Sequence, residues 1–114
     1  MNKSDKIIAA SAMAGLDMAI REKETKTEGN VTSVSIYGKP CLILERNRSE
    51  VTICKDTTCS RKSSRLMNSV LELTACARVE NHHGRWFLKK TEKSRLEEMT
   101  RDMVIPTKKR ILIQ

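Results

Sequence analysis

The stretches SRKSSRLMNSVLELT (residues 60–74) and ARVENHHGRWFL (residues 77–88) decide the fold. In the first, Leu66, Met67, Val70, Leu71 and Thr74 fall at i, i+1, i+4, i+5 and i+8, which places them on one face of a helix. Arg61, Lys62, Arg65 and Glu72 take the other sides. Ser60 is the expected N-cap, because its hydroxyl can accept a bond from a free amide of the first turn; Ser63 and Ser64 are alternatives. In the second stretch, two short apolar runs flank a polar loop that ends in Gly84, the pattern of a β-hairpin. Gly84 can take a positive φ at no steric cost. Trp86 and Phe87 then point to opposite faces of a strand. With Tyr37 they are the only aromatic residues in the chain, and Trp86 is the expected core anchor.

Ser63-Ser64-Arg65-Leu66-Met67-Asn68, Val70-Leu71, Arg78-Val79 and Gly84-Arg85-Trp86-Phe87-Leu88 resemble a pattern seen in small phage and prophage proteins of unknown function. There, two strands lead to a Ser/Thr-rich helix start, and a hairpin ending Gly-x-Trp-aromatic-aliphatic follows the helix. The resemblance spans residues 31–90, and Lys55-Asp56 stands where an aromatic residue is usual. It implies an accessory protein of a mobile element.

Working outward, residues 4–23 read as a helix with Ser4 as cap and Asp5 at the positive end of its dipole. Ile8, Ala12, Leu16, Ala19 and Ile20 form its stripe. The stripe is expected to pack on the domain, with dimerisation through this helix as the alternative. Residues 24–30 read as a polar linker ending in a turn. Residues 31–37, 41–45 and 50–54 read as three strands joined by short turns, an antiparallel meander. The middle one, Cys41 to Glu45, is apolar on both faces and so expected to be central.

Past the hairpin, residues 91–103 read as a third helix with a capping box from Ser94 to Glu97 and a stripe of Leu96, Met99 and Met103, stopped by Pro106. The basic tail ends in Ile111-Leu112-Ile113, expected to add an edge strand in its own chain or in a partner's. The expected fold is therefore α+β. A small antiparallel sheet, a three-strand meander plus hairpin, packs with an N-terminal, a central and a C-terminal helix. The 114 residues form a single domain, with the N-terminal helix at 1–24, an α+β core at 31–90, and the C-terminal helix and basic tail at 91–114.

No run approaches the roughly 20 apolar residues needed to span a bilayer, and no secretory signal is visible, so a cytoplasmic protein without a membrane partner is expected. Net charge is +8 and uneven. Residues 1–57 carry nine basic and eight acidic side chains; residues 58–114 carry thirteen and six. A basic half favours anionic partners, against the plainer reading of a solvated surface.

Cys54, Cys59, Cys76, His82 and His83 include enough ligands for a tetrahedral zinc site. Their spacings match no common zinc module, so no metal or other cofactor is expected. A small zinc-binding module is kept as a second alternative. Nucleophilic chemistry would need a thiolate with a base in reach, and only Cys76 and His82 are near in sequence; the expected function is non-enzymatic.

Arg61, Lys62 and Arg65 on the central helix, with Arg85, Lys89 and Lys90 on the hairpin, are the candidate nucleic-acid or anion-binding residues, and Arg78 lies on the same hairpin. A helix followed by a basic hairpin resembles the recognition helix and wing of a winged helix, although a strand meander precedes this one. The reading is a small basic protein that binds nucleic acid; the alternative is a modulator that binds an acidic host protein through the same charges.

Overall fold

The structure is a computed structural model describing residues 2–108. It is α+β, with two helices and two antiparallel sheets. Helix α1 spans Lys3–Ala14, followed by β1 Met18–Ile20, β2 Lys23–Glu28, β3 Val31–Ile36, β4 Lys39–Glu45 and β5 Glu50–Ile53. Helix α2 is Arg61–Thr74; then come β6 Arg78–His82, β7 Arg85–Lys89, β8 Glu97–Glu98 and β9 Met103–Pro106. The larger sheet has the order β1-β2-β3-β4-β5-β9 and the smaller β6-β7-β8.

The N-terminal helix is shorter than its periodicity suggests. Asn2, not Ser4, caps it, its Oδ1 accepting from the Ser4 amide at 2.8 Å. Gly15 ends it in the left-handed region (φ 70°), and the Leu16 amide bonds back to Ser11 O at 2.9 Å. A side chain at Gly15 would also crowd the Arg46 guanidinium, 3.3 Å from where its Cβ would stand. The buried Arg46 side chain crosses from the end of β4 to donate to Ala12 O at 2.6 Å, so a cation sits at the negative end of the α1 dipole. Ile8, Ala9 and Ala12 pack into the domain, as expected of this helix, while Leu16 is exposed.

Residues 24–30 are not a linker. They form most of β2 and its turn to β3, and the meander is accordingly five strands before α2 rather than three. The inward side of β2 is Lys23, Thr25 and Thr27, which hides the strand pattern because all three are polar. Each is satisfied: Lys23 Nζ reaches Asp5 Oδ1 at 2.5 Å, Thr25 donates to Leu16 O at 2.6 Å, and the Thr27 and Thr32 hydroxyls meet at 2.8 Å. Strands β3 to β5 follow the expected alternation, with Val34, Ile36, Leu42, Leu44, Val51 and Ile53 buried. Strand β4 is interior, and Cys41 forms a bulge in it: Val34 pairs with Leu42 but Ser35 with Pro40.

Ser60 caps α2, accepting from the Ser63 amide at 3.1 Å. Leu66, Met67, Val70 and Leu71 are wholly buried. The hairpin turns on His83 and Gly84, both with positive φ (54° and 75°), the two-residue turn whose twist matches that of its strands. Trp86 is buried and its Nε1 donates to Thr57 O at 2.8 Å. Val79, Trp86 and Leu88 join the residues of the larger sheet and both helices in one core.

The third helix does not form. Residues 97–98 and 103–106 are strands β8 and β9, preceded by a turn at residues 92–93 and joined by a bend, and Ser94 bonds the Thr91 hydroxyl at 2.7 Å instead of capping a helix. The apolar stripe is shared between two sheets. The Met99 amide bonds Trp86 O at 2.8 Å, whereas Met103 pairs with Ile53 at the edge of the larger sheet. Pro106 is the last residue of an edge strand, where its missing N–H is tolerated. The expected strand at residues 111–113 lies outside the described residues. Among the described residues, no helix is long and apolar enough to cross a membrane.

Candidate functional site

Both helices cover the inner face of the larger sheet, and their outer sides are exposed. Lys3 and Lys6 of α1 and Arg61, Lys62 and Arg65 of α2 are all exposed there, with Glu72 as the one exposed carboxylate on the two helices. The acidic residue of the α1 first turn, Asp5, is buried and paired with Lys23, and borders the depression between the two helices. The outward residues of the larger sheet carry the opposite sign. By register, Glu24, Glu28, Glu45 and Glu50 share its other face with Lys26 alone among strand cations.

The six candidate residues fall in two groups. Arg61, Lys62 and Arg65 cluster on the first turns of α2. Lys62 reaches Glu22 at 3.2 Å. The Glu22 carboxyl is held below its ordinary value by its own backbone amide and then by Lys62. Arg65 lines a depression of about 550 Å³ between α1 and α2, with Asn2, Ser64, Asn68 and Glu72. On the hairpin, Arg85 is exposed near its tip and pairs with Glu98 of β8 at 3.3 Å, so part of its charge is answered within the chain. Lys89 is half-buried and Lys90 exposed at the far end of the hairpin.

The hairpin does not project as a wing would. It lies back along α2, tied to it at both ends. Asn68 brackets Val79, and Asn81 Nδ2 donates to Ser60 O, the carbonyl of the helix cap, at 3.0 Å. This brings the tip beside the start of α2 and leaves Lys89 near its end. There a second depression, about 820 Å³, holds Lys89 together with Arg78, Lys93 and Lys108. Arg65 and Lys89 thus line different depressions, which adjoin along α2 because Asn68 and Glu72 border both.

Lys3 and Lys6 were not legible as site residues, because only the packing of α1 on α2 puts them on the same side as Arg61 and Arg65. Lys108 enters through a chain return of the same long-range kind, whereas Lys93 follows Lys89 by four residues.

Cys76 is exposed just before β6, while His82 ends that strand and sits 3.0 Å from Glu80, edge-on to Phe87. The strand therefore separates the pair that the sequence put close. Burial pushes the Cys41 thiol up to about 12 and, chiefly by the same cause, that of Cys54 to about 11. Among the described residues no three or more His, Cys, Asp or Glu side chains are grouped to hold a metal.

The chain matches no family model, and no curated protein or solved structure matches it either.

Proposed function

We propose that the protein is a non-enzymatic binder of nucleic acid that presents the outer side of α1 and α2 to the phosphate backbone. The observation that carries this reading is the charge polarity of the fold. Lys3, Lys6, Arg61, Lys62 and Arg65 stand on the helical side with Glu72 exposed and Glu22 paired to Lys62, and Glu24, Glu28, Glu45 and Glu50 stand with Lys26 on the outward strand face of the larger sheet, where Arg48 of the following turn pairs with Glu45. A predominantly basic face raises the local concentration of an anionic polymer, and the more acidic opposite face orients the approach. Cations that neutralise phosphates release counterions, so affinity must fall steeply with salt. The small phage-type accessory role implied by the hairpin and helix pattern accommodates such a binder.

The test is fluorescence anisotropy of labelled duplex DNA, single-stranded DNA and RNA across a salt series. The expected result is binding whose logarithm falls linearly with the logarithm of salt, weakened by the joint charge reversal of Arg61, Lys62 and Arg65 in a chain that stays folded by circular dichroism. Binding that ignores salt, or no binding to any of the three, overturns the reading. A partner pulled from host lysate that survives nuclease treatment and competes for the same three residues would assign the face to an acidic protein instead.

A further inference from the structure

At the far end of α2, Arg78 of β6 and Lys89 of β7 are directly opposite one another in the strand register. Like charges facing across an antiparallel pair are destabilising. Lys93 and Lys108 line the same groove. Among the described residues, Lys89, Lys93 and Lys108 form no ion pair, and Arg78 approaches a carboxylate only at 3.9 Å, that of Glu80. The Lys108 ammonium donates to the Glu72 carbonyl and its amide to Thr74 O at 2.9 Å, so it covers the negative end of the α2 dipole rather than answering another charge. Glu72 and Glu92 also border the groove, against the four cations. The floor is Ala75 and Ala77, small and apolar, with no aromatic ring on which a base could stack.

We infer that this groove, lined by Arg78, Lys89, Lys93 and Lys108, is a phosphate seat that takes the nucleic-acid backbone without reading its sequence. This inference rests on the nucleic-acid reading above and adds a site to it. An anion between Arg78 and Lys89 relieves the repulsion that the folded chain otherwise carries. Contacts of this kind fix position and carry no base information. The groove adjoins the depression beside Arg65 through Asn68 and Glu72. From Arg65 to the helix end at Thr74 the two run along about 14 Å of α2, at 1.5 Å per residue. The backbone of one strand would follow this line from the helical face into the groove.

The experiment measures anisotropy of a short fluorescein-labelled DNA duplex, in two unrelated sequences, against sodium chloride for the wild type and for the joint variant Lys89→Gln, Lys93→Gln, Lys108→Gln. The expected result is a salt slope lower by about two to three, roughly one for each phosphate no longer neutralised, with the same fold-loss of affinity for both sequences. Lys93→Gln alone, at an exposed position outside any strand, should lower the slope by about one and serves if the joint variant does not fold. Folded variants with the wild-type slope overturn the groove while leaving the helical face intact. A wild type with no salt-dependent binding overturns both. A loss that differs between the two sequences overturns the sequence-independent seat.

Discussion

The side-chain amide of Asn68 holds both backbone groups of Val79: its Oδ1 accepts the Val79 N–H at 2.8 Å, and its Nδ2 donates to the Val79 carbonyl at 2.9 Å. Strand β6 is an edge of the smaller sheet, and one residue of α2 completes it there as a neighbouring strand would. Asn68→Ala leaves two backbone groups beside the core without partners. It should cost about 2–4 kcal/mol, since an unsatisfied buried group costs roughly 1–3 kcal/mol. Urea unfolding measures this, and a loss below about 0.5 kcal/mol would show that water takes over both bonds. Asn68→Asp should recover only part of the loss, because it cannot donate to the carbonyl.

Trp86→Ala should destabilise by about 3–5 kcal/mol, as large aromatic truncations in cores do. Trp86→Phe keeps most of the packing and loses the bond to Thr57 O, a smaller cost of about 1–3 kcal/mol. Thermal unfolding of the pair separates the two contributions. An unchanged melting temperature for the alanine variant would contradict the burial of Trp86.

Asp5 and Lys23 form an ion pair with side chains 2% and 7% exposed. Removing one partner strands the other. Lys23→Met should therefore cost about 3–5 kcal/mol, and the double variant Asp5→Leu, Lys23→Met should recover most of it. A double-mutant cycle by chemical denaturation tests this. Additive losses would mean that water reaches the pair.

Cysteine behaviour divides by burial. The exposed Cys76 should react first with a thiol reagent on the native protein, and Cys41 only on unfolding. Burial raises the Cys41 thiol from 9.0 to about 12, so the folded state holds this proton more tightly than the unfolded one. The stability it contributes is complete below pH 9 and declines as pH rises from there toward 12. Unfolding free energies of wild type and Cys41→Ala at pH 8 and pH 10.5 should show the larger alkaline decline in the wild type. Equal declines would assign it to other groups.

What the sequence made legible was local. The spacing of Leu66, Met67, Val70 and Leu71 and the hydroxyl of Ser60 describe α2 without reference to anything distant, and Val34, Ile36, Val51 and Ile53 do the same for their strands. Strand β2 escaped because its inward residues are answered by Asp5, the Leu16 carbonyl and Thr32, partners that a polar run does not announce. The supposed third helix failed for the converse reason. Leu96, Met99 and Met103 match helical spacing, but the Met99 amide is bonded to β7 of the smaller sheet while Met103 lies in β9 of the larger. The cations of α2 could be named from their own helix, whereas Lys3, Lys6 and Lys108 join the basic surface only through tertiary packing.

The placement of β9 has a bearing on how the molecule is assembled. Strands β1 to β5 pair in chain order through short turns, so each can zip onto its predecessor as soon as it is synthesised. The free edge of β5, Glu50 to Ile53, has to wait for Met103 to Pro106, some fifty residues later. Until then Val51 and Ile53 line an open sheet margin, and closing so long a loop is slow relative to hairpin formation. The ribosome must deliver α2 and the whole smaller sheet before the larger one is sealed. A nascent chain arrested before residue 103 would carry every strand of the meander and still offer an unpaired edge to its neighbours.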